Sequence, residues 1–185
     1  MRSSLLLNIV RCFLRQRVQY MGRVTVLIDT SFLITLFDDS RANHLVAKQY
    51  YQYFINNQID MYISAIVASE YEQKDSIDDI INTGNFIILP FNYDDGKVAG
   101  SFAASLNGGE RGSASRDAAK DDVKLLAQAS NNELTFVATD DASMLANYCR
   151  RLNDLNLLST SVITLESFDI SLFNGGQTGL NIGLE

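Results

Sequence analysis

The sequence predicts an α/β fold in three layers: a central, mostly parallel sheet with helices on both faces. Short apolar runs alternate with longer segments whose apolar residues recur at helical spacing, the pattern of successive βαβ units. The clearest run, Val24–Ile28, is β-branched and apolar up to Asp29, as a strand buried on both faces reads. The chain of 185 residues is 46% hydrophobic, enough for one domain with a core. A single proline and eleven glycines exclude collagen-like, mucin-like and proline-rich classes.

The elements follow in order. After the first strand, Thr30 and Ser31 are N-cap types, and Phe32, Leu33, Leu36 and Phe37 give a short helix. Asp38–Asn43 is a polar turn, and His44 to about Ile55 is a second helix carrying Leu45, Ala47, Tyr51, Phe54 and Ile55. Met61–Ile63 is a strand, and Ser64 caps a helix running through Glu70. Phe86–Leu89 is extended and stopped by Pro90; Asp94–Leu106 is helical, with Val98, Phe102 and Leu106 on one face. Asn107–Asp117 is a glycine- and serine-rich loop. Ala118–Asn131 is a helix with Asp122, Leu125, Leu126 and Ala129 on its inner stripe. Thr135–Ala138 is a strand, Asp141–Leu152 a helix and Val162–Leu165 the last strand, before a frayed tail over Gly175–Glu185. The expected organisation is an N-terminal extension over 1–21, one α/β domain over 22–168 and a tail over 169–185.

Charge is unevenly spread. The net charge is −7, but Arg2, Arg11, Arg15 and Arg17 lie in the first twenty residues, which hold no acid, so the rest carries −11. Leu6, Ile9, Val10, Phe13 and Leu14 recur at helical spacing, giving a basic amphipathic helix. Met21 offers a second start, so this segment reads either as an appendage or as leader sequence. Its apolar run is too short to span a membrane, and no membrane partner is expected. The two cysteines, Cys12 and Cys149, have neither zinc-ligand nor disulfide-scaffold spacing, which points to a reducing, cytoplasmic setting. His44 is the only histidine, disfavouring histidine metal sites and a Ser-His-Asp triad.

In open α/β sheets, ligands bind beyond the carboxyl ends of the strands. The acids placed there are Asp29 after the first strand, Glu70 on the helix after the second, Asp122 opening the helix before the fourth, and Asp141 after the fourth. Two carboxylates about 4 Å apart repel by roughly 4 kcal/mol at an effective dielectric of 20. A divalent cation reverses that sign. Oxygen ligands without cysteine or histidine select Mg²⁺ or Mn²⁺, and the chemistry such an ion best serves is phosphodiester hydrolysis.

With these motifs the sequence resembles the PIN-domain nucleases, most closely the VapC-type toxin ribonucleases. Asp29-Thr30-Ser31 resembles their first motif, and Ser64 to Glu70 (SAIVASE) the second. Asp122 with the apolar, alanine-rich stretch after it resembles the third, and Phe136 to Met144 (FVATDDASM) the fourth. Leu89-Pro90-Phe91 also fits, and the likeness runs from about Val24 to Leu165. Each motif alone is weak; all four in order make a strong signal. The twenty-residue N-terminal extension and the Gly/Ser loop depart from the pattern.

The resemblance implies a PIN-like fold and a metal-dependent endoribonuclease. Asp29, Glu70, Asp122 and Asp141 would be its metal ligands, with Thr30, Ser31 and Thr139 in support. It further implies a bacterial toxin paired with a small antitoxin, an RNA substrate and a homodimer. Asp121 competes with Asp122, and Asp140 with Asp141. Asp122 is preferred because it shares a helical face with Leu125, Leu126 and Ala129; Asp141 because Thr139 stands two residues before it and Met144 follows. Arg116, Lys120 and Lys124, with Arg111, form the best basic stretch for RNA phosphates; the plainer reading is a solvated face. Helix capping by Asp29, Thr30, Ser31 and Asp140-Asp141 is the structural alternative. Functional rivals are a ribosomal-RNA-processing PIN nuclease, a catalytically inactive RNA-binding protein, and a metal-dependent adhesion module. The adhesion signature Asp-x-Ser-x-Ser needs a hydroxyl at position 33, which is leucine.

Overall fold

A computed structural model describes residues 23–107 and 121–173. Five strands form one sheet: β1 (Thr25–Ile28), β2 (Asp60–Ser64), β3 (Phe86–Leu89), β4 (Phe136–Thr139) and β5 (Ser161–Thr164). The order is β3-β2-β1-β4-β5, and every pairing is parallel. The helices are α1 (Thr30–Phe37), α2 (His44–Asn56), α3 (Ala65–Tyr71), α4 (Ile77–Ile81), α5 (Tyr93–Leu106), α6 (Asp121–Asn131) and α7 (Leu145–Asp154). A 3₁₀ turn, Ile170–Phe173, follows β5.

The path β1 to β2 to β3 steps one way and carries α1–α4; the chain then crosses back to β4 and continues outward to β5 with α5–α7. Right-handed crossovers put these helix sets on opposite faces. The packing agrees: α1 touches α2 and α3, whereas α5, α6 and α7 touch one another. The sheet is therefore covered on both sides, and Val26, Leu27 and Ile28 of its middle strand are at most 1% exposed. Phe32 and Leu33 of α1 press on one face, and Leu125, Leu126 and Ala129 of α6, all buried, line the other helix layer. Among the described residues, no helix is long and apolar enough to cross a membrane.

Several local expectations need correction. Helix α1 starts at Thr30, and its N-cap is Asp29, whose side chain accepts from the Ser31 amide; Thr30 and Ser31 are inside the helix. Helix α7 starts at Leu145, four residues later than expected, because Asp141 Oδ1 accepts from the Ser143 and Met144 amides and holds 141–144 in a turn. The one-turn helix α4 is an element additional to those the sequence predicts; it buries Ile77 and Ile80. The start expected for α6 at Ala118, the loop residues from 108 and the extension over 1–21 lie outside the described residues. Of the segment assigned to the tail, 169–173 lies against the domain, with the Phe173 ring 4.7 Å from that of Tyr53 and 5.2 Å from that of Phe136; residues 174–185 lie outside the described set.

Candidate metal centre

The sheet register prepares the site. Ile28 is paired with Ile63 on one side and Ala138 on the other. The next residue along each strand is therefore Asp29, Ser64 and Thr139, one row across the carboxyl edge. Strand order reverses between β1 and β4, and this switch point is where open α/β sheets form a binding crevice. The Asp29 amide donates to the Ala138 carbonyl at 3.0 Å, extending the β1–β4 ladder to the acid itself.

Hydroxyl groups fix Asp29. Its Oδ2 accepts from Ser31 Oγ at 2.5 Å, from Thr139 Oγ1 at 2.8 Å and from the Ser31 amide at 3.3 Å. Thr139 Oγ1 also accepts from the Asp141 amide at 2.9 Å, while Ser31 Oγ accepts from the Asp140 amide at 2.9 Å. Thr139 is fully buried and Asp29 only 7% exposed. Two hydroxyls thus tie the end of β1 to the turn after β4. The α3 carboxylate, Glu70, accepts from Thr30 Oγ1. Burial raises its pKa above the ordinary range, against the lowering effect of that hydrogen bond; the charges of Asp121 and Asp29 add to the rise.

Asp122 lies at the centre of the electrostatics. Burial, then the charges of Asp29, Asp141, Glu70 and Asp121, push its pKa up to about 6. Acids from four separate chain segments therefore act on one carboxyl group. Its neighbour Asp121 turns to Lys124, 2.6 Å away on the same helix. Asp141 accepts on Oδ1 from Ser143 Oγ at 2.6 Å and from the Ser143 and Met144 amides, and the Ser143 hydroxyl chiefly lowers its pKa. Asp140 points elsewhere: its two oxygens accept from Asn43 Nδ2 and Thr35 Oγ1, each at 2.7 Å, tying the β4 end to α1 and the start of α2. His44 Nδ1 lies 3.1 Å from the Thr35 carbonyl, in this same structural region.

Sequence reasoning missed three supporting residues. Thr35 and Asn43 carry no motif, and their role appears only in their bonds to Asp140. Gln128 is fully buried. Its side chain accepts from Ser64 Oγ and donates to the Pro90 carbonyl, joining α6 to the ends of β2 and β3. A glutamine inside the apolar stripe of α6 was the available signal. Arg111, Arg116 and Lys120 lie outside the described residues.

The donor set suits a hard divalent cation: oxygen ligands only, a large negative charge, and a carboxyl whose ionisation is opposed by its neighbours. Among the described residues, however, no group of three or more histidine, cysteine, aspartate or glutamate side chains stands in an arrangement ready to hold a metal ion. Asp29, Glu70 and Asp141 are each held by their own hydroxyl or amide donors.

No protein-family model matches the chain, and no curated protein sequence matches it. In overall shape it is similar to solved structures. One is VapBC2 from Rickettsia felis bound to a promoter DNA fragment (13% identity, TM-score 0.48, covering 76% of this chain and 98% of that one). A second is DNA-bound VapBC from Salmonella typhimurium (14%, TM-score 0.49, 77% and 98%). A third is VapC20 of Mycobacterium tuberculosis, a toxin cleaving the sarcin-ricin loop (14%, TM-score 0.47, 64% and 91%). Likeness at this level concerns the path of the chain and assigns no residue a role.

Proposed function

We propose that this chain is a metal-dependent endoribonuclease and, on the strength of its motif resemblance, the toxin of a toxin–antitoxin pair with a small antitoxin as partner. The observation that carries the reading is the charge convergence on Asp122 of Asp29, Glu70 and Asp141, from three other chain segments, at the switch point of the sheet. Asp29, Glu70, Asp122 and Asp141 would hold Mg²⁺ or Mn²⁺. When bound, such a cation stabilises charge on the phosphate and lowers the pKa of a coordinated water.

The chain's own residues supply orientation. Thr139 and Ser31 fix Asp29 through Oδ2, and Thr30 fixes Glu70. The bonds of Asp141 to Ser143 and Met144 all fall on Oδ1, so each of these aspartates engages the protein through one oxygen. Asp140 uses both oxygens on Thr35 and Asn43 and serves as a structural tie. Lys124, at the rim, offers a cation to the RNA backbone. The adhesion reading has no support at position 33, since Leu33 is fully buried.

The test is RNA cleavage by the full chain in Mg²⁺ and in EDTA, with Asp29→Asn alongside. The expected result is cleavage that needs the metal and falls at least a hundredfold in the variant. Undiminished cleavage by Asp29→Asn overturns the assignment, and RNA binding without cleavage by the parent chain favours the inactive RNA-binding alternative.

A further inference from the structure

We infer that Gln128 is a positioning residue for the metal centre: its bond to Ser64 sets the gap between Glu70 and Asp122, and with it the size of ion the site accepts. The inference rests on the metal-dependent reading of the site and adds the device that tunes its choice of ion. Ser64 is the N-cap of α3, and Gln128 lies in α6. Glu70 stands six residues after Ser64, and Asp122 six residues before Gln128. At a rise of about 1.5 Å per residue, each carboxylate is about 9 Å along its own helix from the bond. Two arms of equal length therefore leave one hydrogen bond and end in acids, with the Glu70 charge acting on Asp122.

Packing between the arms does not fix the gap at their tips. A cleft of about 320 Å³ opens between α3 and α6, with Ile66 and Glu70 on one side and Asp121 on the other. The like charges there push the arms apart. The tie is at the vertex, where Gln128 and Ser64 are both fully buried. Ser64 Oγ donates to Gln128 Oε1 and accepts from the Ile66 amide at 3.0 Å, while Gln128 Nε2 donates to the Pro90 carbonyl at 3.2 Å. Among the described residues no buried side-chain nitrogen or oxygen lacks a partner, and a buried network satisfied in full is a rigid one. Gln128 sits among Leu125, Leu126, Ala127 and Ala129, all buried, where an apolar side chain would pack as well. A carboxamide in such a place costs desolvation that only its hydrogen bonds offset, so what the glutamine adds is the tie. Mg²⁺ requires oxygen ligands at about 2.0–2.1 Å in a near-octahedral array, whereas Ca²⁺ takes them at roughly 2.3–2.6 Å in flexible geometry. A fixed gap thus favours the smaller ion, and a loosened one admits the larger.

The experiment titrates the full chain with Mg²⁺, Mn²⁺ and Ca²⁺ by calorimetry, without RNA, for the parent, Gln128→Met, Ser64→Ala and the double variant. Gln128→Met keeps the length of the side chain and leaves Ser64 its bond to the Ile66 amide; melts followed by circular dichroism identify the folded variants. Each single change is expected to lower Mg²⁺ and Mn²⁺ affinity about tenfold, the loss typical of a residue that orients metal ligands. Ca²⁺ affinity should fall less, so that the Mg²⁺-to-Ca²⁺ affinity ratio drops at least about threefold. The double variant should lose no more than the weaker-binding single variant, because one and the same bond is removed in all three. Either single change alone decides the ratio if the other does not fold. Folded variants that keep the parent's Mg²⁺ affinity and ion ratio overturn the inference and leave the metal site standing, as do losses that add in the double variant. A parent chain that binds none of the three ions overturns both.

Discussion

Replacing Asp122 with asparagine should stabilise the metal-free protein, because the carboxylate is held in an unfavourable field. Its pKa is pushed up to about 6 from an ordinary 3.8, first by burial and then by Asp29, Asp141, Glu70 and Asp121. For an acid, a raised folded-state pKa means that the folded state binds the proton more tightly. The penalty is thus absent below about pH 4, grows between about 4 and 6, and is complete above 6. Two units correspond to roughly 3 kcal/mol, and solvent screening of this half-buried group reduces that to about 1–2 kcal/mol. In EDTA at pH 7.5, Asp122→Asn should melt about 2–8 °C above the parent, and at pH 4 the two should coincide. Mg²⁺ reverses the order: a ligand at a hundred times its Kd adds about 2.7 kcal/mol, which the parent gains and the variant largely loses. Thermal melts by circular dichroism over pH, in EDTA and in Mg²⁺, measure both effects. A variant no more stable than the parent in EDTA refutes the electrostatic argument, and equal Mg²⁺ stabilisation of both proteins removes Asp122 from the metal site.

Three further outcomes follow from the hydrogen bonds and burial. Thr139→Val removes a buried hydroxyl that donates to Asp29 and accepts from the Asp141 amide; it should cost about 1–3 kcal/mol in urea unfolding and weaken Mg²⁺ binding, while Thr139→Ser should restore both. Asp140→Ala should destabilise the fold by loosening Thr35 and Asn43 yet leave the Mg²⁺ affinity within about threefold, whereas Asp141→Ala should lower that affinity at least tenfold; calorimetric titration separates them, and equal loss in both would sink the distinction. Cys149 is fully buried, and burial lifts its thiol pKa to about 11. In a Cys12→Ser background it should stay unreactive toward a thiol reagent in native buffer and react fully in urea.

The sequence revealed most where a single pattern decides the structure. Val26, Leu27 and Ile28 read as a doubly buried strand because they are one, and the first acid after that run is the residue at the switch point. Ser64 read as a cap, and its Oγ accepts from the Ile66 amide. Helix α4 escaped notice because five residues give one apolar pair, Ile77 and Ile80, too few to show a period. The choice within Asp140-Asp141 depended on which donors lie nearby: Thr35 and Asn43 stand about a hundred positions away and capture Asp140. The buried link from Gln128 to Ser64 and Pro90 is non-local in the same way. Periodicity reports which face is buried, and it is silent about which distant polar group meets another.

The kind of donor that holds the acids bears on function. A carboxylate cluster can be steadied by lysine and arginine, which cancel its charge, or by hydroxyl and amide donors, which orient it and leave the charge in place. Here Thr30, Ser31, Thr139 and Ser143 do the holding, and among the described residues the ion pair at the cluster is Lys124 with Asp121, at its margin. A site meant only to cap helices gains nothing from burying Asp29 and crowding Asp122, since an exposed aspartate caps equally well. Among the described residues no lysine or arginine pairs with Asp29, Glu70, Asp122 or Asp141, and a cation arriving there would turn the destabilisation of the metal-free protein into binding free energy for the ion.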